Sequence, residues 1–474
     1  MKHITQLFIT SILLLLTTAL TAQDTWSLER CIDHALRNNL DVRRQRLQEE
    51  RTGHDVLYSY ANLAPSFNAD SRMDVNYGRT IDAVTNQFFT ERVVSQRMSA
   101  TGNLTLFAGF RTINNIRYNL ARQTAFKYDT EKLENDLILT IANAYLQILY
   151  FEDMLEVATQ QLEISRQQVE RTSILLEGGT VSRRDLLEME AVAAEQEVIY
   201  TNIQNNLNLS YLELIHLLEL DPDIDFAIEQ PSLDIEAIQV IVDPASVLEK
   251  AGNVEPSLTA AQHRITMAER NLAIVRGERV PTLSLIAGLG TRYSEAFTRE
   301  INGNGQKTSP ILHHAGLPPA LPGKGNEEPL FETIPYFDQL TENYSRSTFI
   351  TLNIPIFNSF QTRTRVQHAR IDLDQARISY EQSRNNLSRV IHQAHADAMA
   401  AYQDYNSNSK ALEASRESFT YAEEGFTLGR VSTLEYNEAK ARLHRAEVNV
   451  LQSMYEFVFK VKILEFYQGE GFIL

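Results

Sequence analysis

Residues that break helices are missing from two long stretches of this 474-residue chain. No proline occurs between Pro65 and Pro222, and no glycine between Gly109 and Gly178. Pro355 is the last proline, and no glycine lies between residue 358 and Gly425. In the first gap, apolar residues recur at helical spacing: Ile113, Ile116, Leu120, then Leu133, Leu137, Ile141, Tyr145, Ile148, Leu155, Leu162 and Val169. Residues 111–177 therefore read as one helix of about 67 residues, roughly 100 Å long. Val366, Ala369, Ile371, Ala376, Ile378, Leu387, Val390, Ile391 and Ala394 give the second stretch the same reading. Helices this long require a coiled coil or an extended bundle.

The two halves superpose as an internal repeat. Ala35, Asn39 and Pro65 reappear in position as Ala251, Glu255 and Pro281, at a constant offset of about 216 residues. Leu106, Phe107, Gly109 and Phe110 match Ile356, Phe357, Ser359 and Phe360 at an offset of about 250, as does Gly179-Thr180-Val181-Ser182 with Gly429-Arg430-Val431-Ser432. The change of offset places an insertion of about 34 residues between Pro281 and Phe357. Residues 295–345 hold Pro310, Pro318, Pro319, Pro322, Pro329 and Pro335 and five glycines, the composition of a long exposed loop. His313-His314 lies within it and reads as a solvated pair before it reads as a metal site.

Between helices, the period changes to two. Phe67, Ala69, Met73, Val75 and Tyr77 alternate with polar residues, as do Met98, Ala100, Gly102, Leu104 and Leu106. Leu283, Leu285, Ala287 and Leu289, then Ile350, Leu352, Ile354 and Ile356, repeat the pattern. Each stretch is about ten residues, the length of a tilted strand that crosses a bilayer. A soluble sheet covering a core is the alternative, but helices flank each pair and no other strand-rich region exists. Four strands cannot close a barrel, and open edges are not tolerated in lipid. Spanning strands must therefore be pooled by several chains, and three chains supply twelve.

Residues 1–22 have the layout of a secretory signal: Lys2 and His3, an apolar run from Phe8 to Leu20, and Ala22 before Gln23. That run is too short to cross a bilayer as a helix. The net charge of −17 argues against a nucleic-acid partner, which needs a basic face. The single cysteine, Cys31, excludes an intrachain disulfide and a cysteine-cluster metal site. It shares an apolar helix face with Leu28, Ile32 and Ala35 and reads as a buried thiol.

The order helix, Pro, strand pair, long helix, Gly-x-x-Ser, helix, repeated twice behind a secretory signal, resembles the TolC-type outer-membrane efflux channels over residues 24–468. The resemblance implies a mainly α fold with a small membrane β-barrel portion. Each chain would give four strands to a twelve-stranded trimeric barrel, continued by an α-helical periplasmic tunnel. Strands would be 66–77, 98–107, 282–293 and 347–357, with loops 78–97 and 294–346 outside the cell. The long helices would be 111–177 and 361–427, and the shorter ones 24–62, 183–217, 244–278 and 433–466. Repeat 1 would span 24–218, an equatorial linker 219–243, and repeat 2 244–468. The chain would be an outer-membrane exit duct in a tripartite efflux or type I secretion system. Its partners would be two further copies, a periplasmic adaptor, an inner-membrane pump and outer-membrane lipid. No cofactor is implied.

The tips Gly179, Thr180, Val181, Ser182 and Gly429, Arg430, Val431, Ser432 have a bland reading as turns. Glycine tolerates positive φ, and Ser182 and Ser432 can cap the returning helices. The resemblance adds docking of the adaptor at these tips. It also places a pore constriction just beyond them, at Asp185, Glu188, Glu435 and Glu438. A three-residue step keeps each acidic pair on one helix face, and three chains would focus twelve carboxylates into a cation-attracting ring. A solvated helical surface is the alternative. The family's basic residue two positions after the second tip glycine is here Val431, and the aromatic three positions before it is Phe426, which lacks a hydroxyl. Any polar latch between neighbouring helices would therefore be rewired.

Other chemistry is weakly signalled. His392 and His395 with Asp397 have a spacing that suits a metal on a helix, although solvent-facing side chains are the commoner reading. Asp221, Asp223 and Asp225 lack the rest of a calcium loop. No nucleotide loop, catalytic triad order or thiol centre is present, so the expectation is not an enzyme. A periplasmic coiled-coil scaffold without a pore is the competing class.

Overall fold

The computed structural model describes residues 25–81, 92–223, 243–301, 330–428 and 430–472, with a few positions between them (86, 88–89, 226–231 and 235). The expected signal 1–22, Asp225, His313-His314 and Gly429 lie outside the described residues. The chain is mainly helical. Helices α1 (Leu28–Asn38) and α2 (Leu40–Ala61) precede strands β1 (Ser66–Asn76) and β2 (Val93–Ala108), then helices α3 (Arg111–Glu177) and α4 (Arg183–Leu217). Next come α5 (Pro244–Val254), α6 (Pro256–Gly277), β3 (Thr282–Ser294), α7 (Tyr336–Glu342), β4 (Ser345–Asn353), α8 (Gln361–Thr427) and α9 (Thr433–Tyr467). The long helices α3 and α8 have 67 residues each, and the returning helices α4 and α9 have 35 each.

Two expected helices are each broken in two. The stretch 24–62 divides at Asn39, whose N–H bonds back to Ala35 O while its Oδ1 accepts from the amides of Asp41 and Val42. One side chain thus ends α1 and starts α2. The stretch 244–278 divides at Glu255, which precedes Pro256 and is held out of the helical region by the proline ring.

The described residues up to 51, of 123–264 and from 376 onward form one compact unit, and those of 52–122 with 265–375 form a second. In the first unit, Leu28, Cys31 and Ala35 of α1 pack with Ile141, Tyr145 and Ile148 of α3, Leu207 and Leu214 of α4, and Val458 of α9. Each fully buried large side chain here contributes ~1.5–3 kcal/mol. Burial pushes the Cys31 thiol up to about 12, so it stays protonated and behaves as a small apolar residue. Strand Thr25–Trp26 pairs in parallel with Ala227–Ile228, and the Tyr145 hydroxyl reaches both, 2.5 Å from Glu229 O and 3.1 Å from Trp26 O.

The second unit holds a four-stranded antiparallel sheet in the order β4-β3-β2-β1, and two short hairpins, Thr80–Ile81 with Phe88–Phe89 and Thr298–Ile301 with Leu330–Thr333. The register aligns Ala69, Ala100, Leu289 and Arg346 in one row, and Ser99, Gly290 and Asp70 in the next. Period two then puts Phe67, Met73, Val75, Met98, Leu104, Leu285, Leu289, Ile350 and Leu352 on one face. The opposite face carries Asn68, Asp70, Arg72, Asp74, Ser99, Thr101, Asn103 and Ser284. The apolar face is exposed: Phe67 is 79%, Met73 65% and Ile350 64% exposed. The outer edges of β1 and β4 carry no strand among the described residues.

Strand bounds differ from expectation by more than two residues at two ends. β2 begins at Val93 rather than 98, because Val93 and Val94 are buried where the Glu295 amide bonds to Val94 O. β4 stops at Asn353 rather than 357, where Pro355 offers no N–H to a ladder. The described ends of loop 294–346 are folded rather than solvated. Gln339, fully buried in α7, donates to Ser294 O and Ile334 O and accepts from the Ser294 amide, each at 2.9 Å. Tyr336 and the Leu340 carbonyl bond to Gln96 and Thr291 of the sheet.

Candidate functional site

At the first tip, α3 ends in a glycine-closed turn. Gly179 has φ +72°, its N–H bonds to Leu176 O, and the Thr180 N–H bonds to Leu175 O, both at 3.0 Å. These two bonds satisfy carbonyls that the helix end would leave orphaned. Thr180 Oγ1 adds a third bond to Leu175 O, at 2.7 Å. Val181 is half-buried, and Ser182 starts α4.

Ser182 and Asp185 close a reciprocal cap. Ser182 Oγ accepts from the Asp185 amide, and Asp185 Oδ2 accepts from the Ser182 amide at 2.8 Å and its hydroxyl at 2.7 Å. The second tip repeats this with Ser432 and Glu435, whose Oε2 accepts from the Ser432 amide and hydroxyl at 3.0 Å. Arg430 N–H bonds to Gly425 O at 2.8 Å, the counterpart of Thr180 to Leu175. Val431 folds against Gly425, where an added Cβ would lie 2.5 Å from Val431 Cγ2.

The four acidic residues thus divide into two pairs of unlike members. Asp185 and Glu435 belong to the caps, and the hydrogen bonds from Ser182 and Ser432 hold both carboxyls below their ordinary range. Glu188 and Glu438 lie one turn further on, exposed. Within the chain, the four are not bonded to one another among the described residues. Glu438 also lines a cleft of about 420 Å³ between α3, α4 and α9, with Ser165, Glu195, Lys440 and His444. Burial pushes the Lys440 ammonium and the His444 imidazole down.

Tyr436, next to Glu435, was not singled out by the sequence. It is buried, its ring stacks on Phe426 at 4.8 Å, and its hydroxyl accepts from Gln168 Nε2 at 3.0 Å. The ring packed on Phe426 thus carries a hydroxyl that bonds across to α3. Gln168 is 268 positions away, so no local pattern could have paired the two.

Further along α3, two more tyrosines hold acidic groups. Tyr211 donates to Glu152 at 2.5 Å and Tyr455 to Asp153 at 2.7 Å, while Gln230 donates to the other Glu152 oxygen. Burial raises the Asp153 carboxyl. Of the other flagged groups, Asp397 accepts from Gln393 and Lys460, His392 is exposed, and Asp221 Oδ1 accepts from the Asp223 amide.

The chain is similar to outer-membrane efflux proteins in sequence and to outer-membrane channels in fold. The sequence model of the family described as "Outer membrane efflux protein" matches residues 31–218 and 247–458. The probable efflux pump outer membrane protein TtgC of Pseudomonas putida is 21% identical over 431 residues, 89% of this chain and 78% of that one. The outer membrane protein TolC of Vibrio cholerae is 22% identical over 356 residues, 72% of this chain and 69% of its own length. An uncharacterized Haemophilus influenzae protein is 25% identical, with 59% of its length covered. Among solved structures, CusC superposes with a TM-score of 0.73 at 17% identity, covering 94% of this chain and 92% of that one. The open state of the Neisseria gonorrhoeae MtrE outer membrane channel gives 0.71 at 17% identity, covering 94% and 89%.

Proposed function

Because the chain belongs to the outer membrane efflux protein family, we propose that it is the exit duct of a tripartite efflux or type I secretion system in the bacterial outer membrane. The observation that carries this reading is the sheet, with one exposed apolar face, one polar face and two open edges. Three chains close twelve strands into a barrel, with the apolar face toward lipid and the polar face toward water. The connections between β1 and β2 and between β3 and β4 face outward. Residues 1–22 direct export and are removed.

The internal repeat suggests how the chains join. β2 pairs with β3 inside one chain, and their repeat counterparts are β4 and β1. Applying the repeat offsets to Ala100 opposite Leu289 puts Ile350 of one chain opposite Met73 of the next. On the helical side, the tips at Gly179 to Ser182 and Gly429 to Ser432 receive the hairpins of a periplasmic adaptor, which links the duct to an inner-membrane pump. The duct itself does no chemistry. Asp185, Glu188, Glu435 and Glu438 from three chains ring the periplasmic aperture and favour cations.

Interchain cysteine crosslinking tests the assembly. In a Cys31→Ser background, Met73→Cys with Ile350→Cys is expected to give a disulfide-linked trimer on oxidation. Met73→Cys with Leu352→Cys, displaced by two residues or roughly 7 Å, is expected to crosslink poorly. Equal crosslinking of both pairs, or of neither, contradicts the barrel.

A further inference from the structure

The chain turns from strand to helix at two corners of the same shape. Phe107 and Phe110 meet edge to face at 5.5 Å and 86°, and Phe357 and Phe360 at 5.6 Å and 85°. Phe110 and Phe360 both take left-handed φ, +60° and +62°. The surroundings differ. At the first corner, the repeat positions carry Leu63 and Ile113, both exposed. At the second, they carry Arg279 and Arg363. The shared backbone therefore does not require the arginines.

We propose that the cleft at the second corner binds the phosphate of a phospholipid headgroup through Arg279 and Arg363, with the acyl chains lying on Ile356 and Phe357. The proposal rests on the membrane reading above, in which this end of the sheet lies at the periplasmic boundary of the bilayer. The cleft, about 370 Å³, is lined by both arginines with Ile356, Phe357, Asn358 and Phe360. Glu278, also at the cleft, pairs with Arg365 at 3.2 Å. Among the described residues, neither Arg279 nor Arg363 is paired with a carboxylate, in a chain of net charge −17. Arg363 Cζ lies 5.8 Å from the Phe360 ring centre, which steadies the guanidinium. Guanidinium groups bind phosphate in a two-pronged way. Ile356 is 94% and Phe357 73% exposed, an apolar surface beside the charge that suits acyl chains and not a free anion. Amphipathic anchoring of this kind is common at membrane boundaries.

The test uses the full-length channel purified in detergent, with dilauroyl phosphatidylglycerol as probe and native mass spectrometry as readout. The wild type is expected to retain one lipid per chain. Arg279→Gln with Arg363→Gln should hold it about tenfold more weakly, and Arg279→Lys with Arg363→Lys should fall between the Gln variant and wild type, because lysine keeps the charge but not the two-pronged geometry. Inorganic phosphate at millimolar concentration should not displace the lipid. Equal retention by the Gln variant, with its oligomer intact on native gels, overturns the site. Displacement by phosphate overturns the lipid assignment in favour of an anion site. Flotation with vesicles separates the two readings: a wild type that fails to float sinks the membrane reading and the site together. A wild type that floats, beside a Gln variant with undiminished lipid, sinks the site alone.

Discussion

Replacing Gly109 by serine should destabilise the corner between β2 and α3 far more than its φ alone would suggest. Gly109 sits at φ +61°, and a Cβ there would lie 2.6 Å from Gly277 O and 2.8 Å from Val280 Cβ. Gly277 is equally constrained, since its own Cβ would lie 2.6 Å from Gly109 O and from Arg111 Cγ. The counterpart position is a natural control: Ser359 adopts φ +52° with a side chain. Left-handed geometry costs a non-glycine residue ~1 kcal/mol, which the second corner already tolerates. The backbone overlap adds ~1–3 kcal/mol, because carbonyl and Cβ must both retreat. Gly109→Ser should therefore cost ~2–4 kcal/mol, a loss of roughly 2–4 °C in melting temperature for a chain of 474 residues. Ser359→Gly should change stability by under ~1 kcal/mol. Far-UV circular dichroism melts of the two purified variants beside wild type measure both. If Gly109→Ser melts with the wild type, or Ser359→Gly falls as far, the close-approach argument is wrong.

Two further predictions concern the helical unit. Tyr145→Phe removes the hydroxyl that joins Trp26 O and Glu229 O and leaves a partly buried carbonyl short of a donor. It should cost ~1–3 kcal/mol and speed amide exchange in segments 25–28 and 226–230; unchanged exchange there counts against the tie. The tip caps should weaken in acid. The carboxyls of Asp185 and Glu435 are lowered in the folded chain, so the stability they add is complete above the ordinary carboxylate range. It is lost as pH falls through their lowered folded values. Amide exchange over 182–188 and 432–438 should therefore rise below about pH 4 relative to neighbouring turns, and Ser182→Ala with Ser432→Ala should flatten that dependence. Increased protection on acidification contradicts the assignment.

The parts that the sequence made legible were those set by local chemistry repeated many times. A run of more than 60 residues without Gly or Pro, with apolar residues at helical spacing, placed the ends of α3 and α8 because no strand is that long, and Ser182 and Ser432 marked the start of each returning helix. The breaks at Asn39 and Glu255 lay at positions already visible as repeat landmarks, but a single residue interrupting an apolar stripe does not change its period. β2 was read five residues short because Val93 and Val94 are buried by a cap from the far side of the insertion, around Gln339. Composition marked that insertion as loop, and composition does not reveal a glutamine that satisfies three backbone groups. At the tips, the same limit separates the acidic residues from Tyr436. Glu435 was visible from its spacing to a glycine, whereas the Gln168 to Tyr436 bond depends on how α3 packs beside α9.

The central claim is that three chains enclose a duct whose narrowest point is acidic. Single-channel conductance of the purified protein in a planar bilayer tests it most directly, with wild type beside Asp185→Ala/Glu188→Ala/Glu435→Ala/Glu438→Ala. The account predicts small, cation-selective steps in the wild type, and larger or less selective steps in the variant. Steps of unchanged size and selectivity would place the constriction elsewhere. No steps at all, from folded trimeric protein of either form, would contradict the duct.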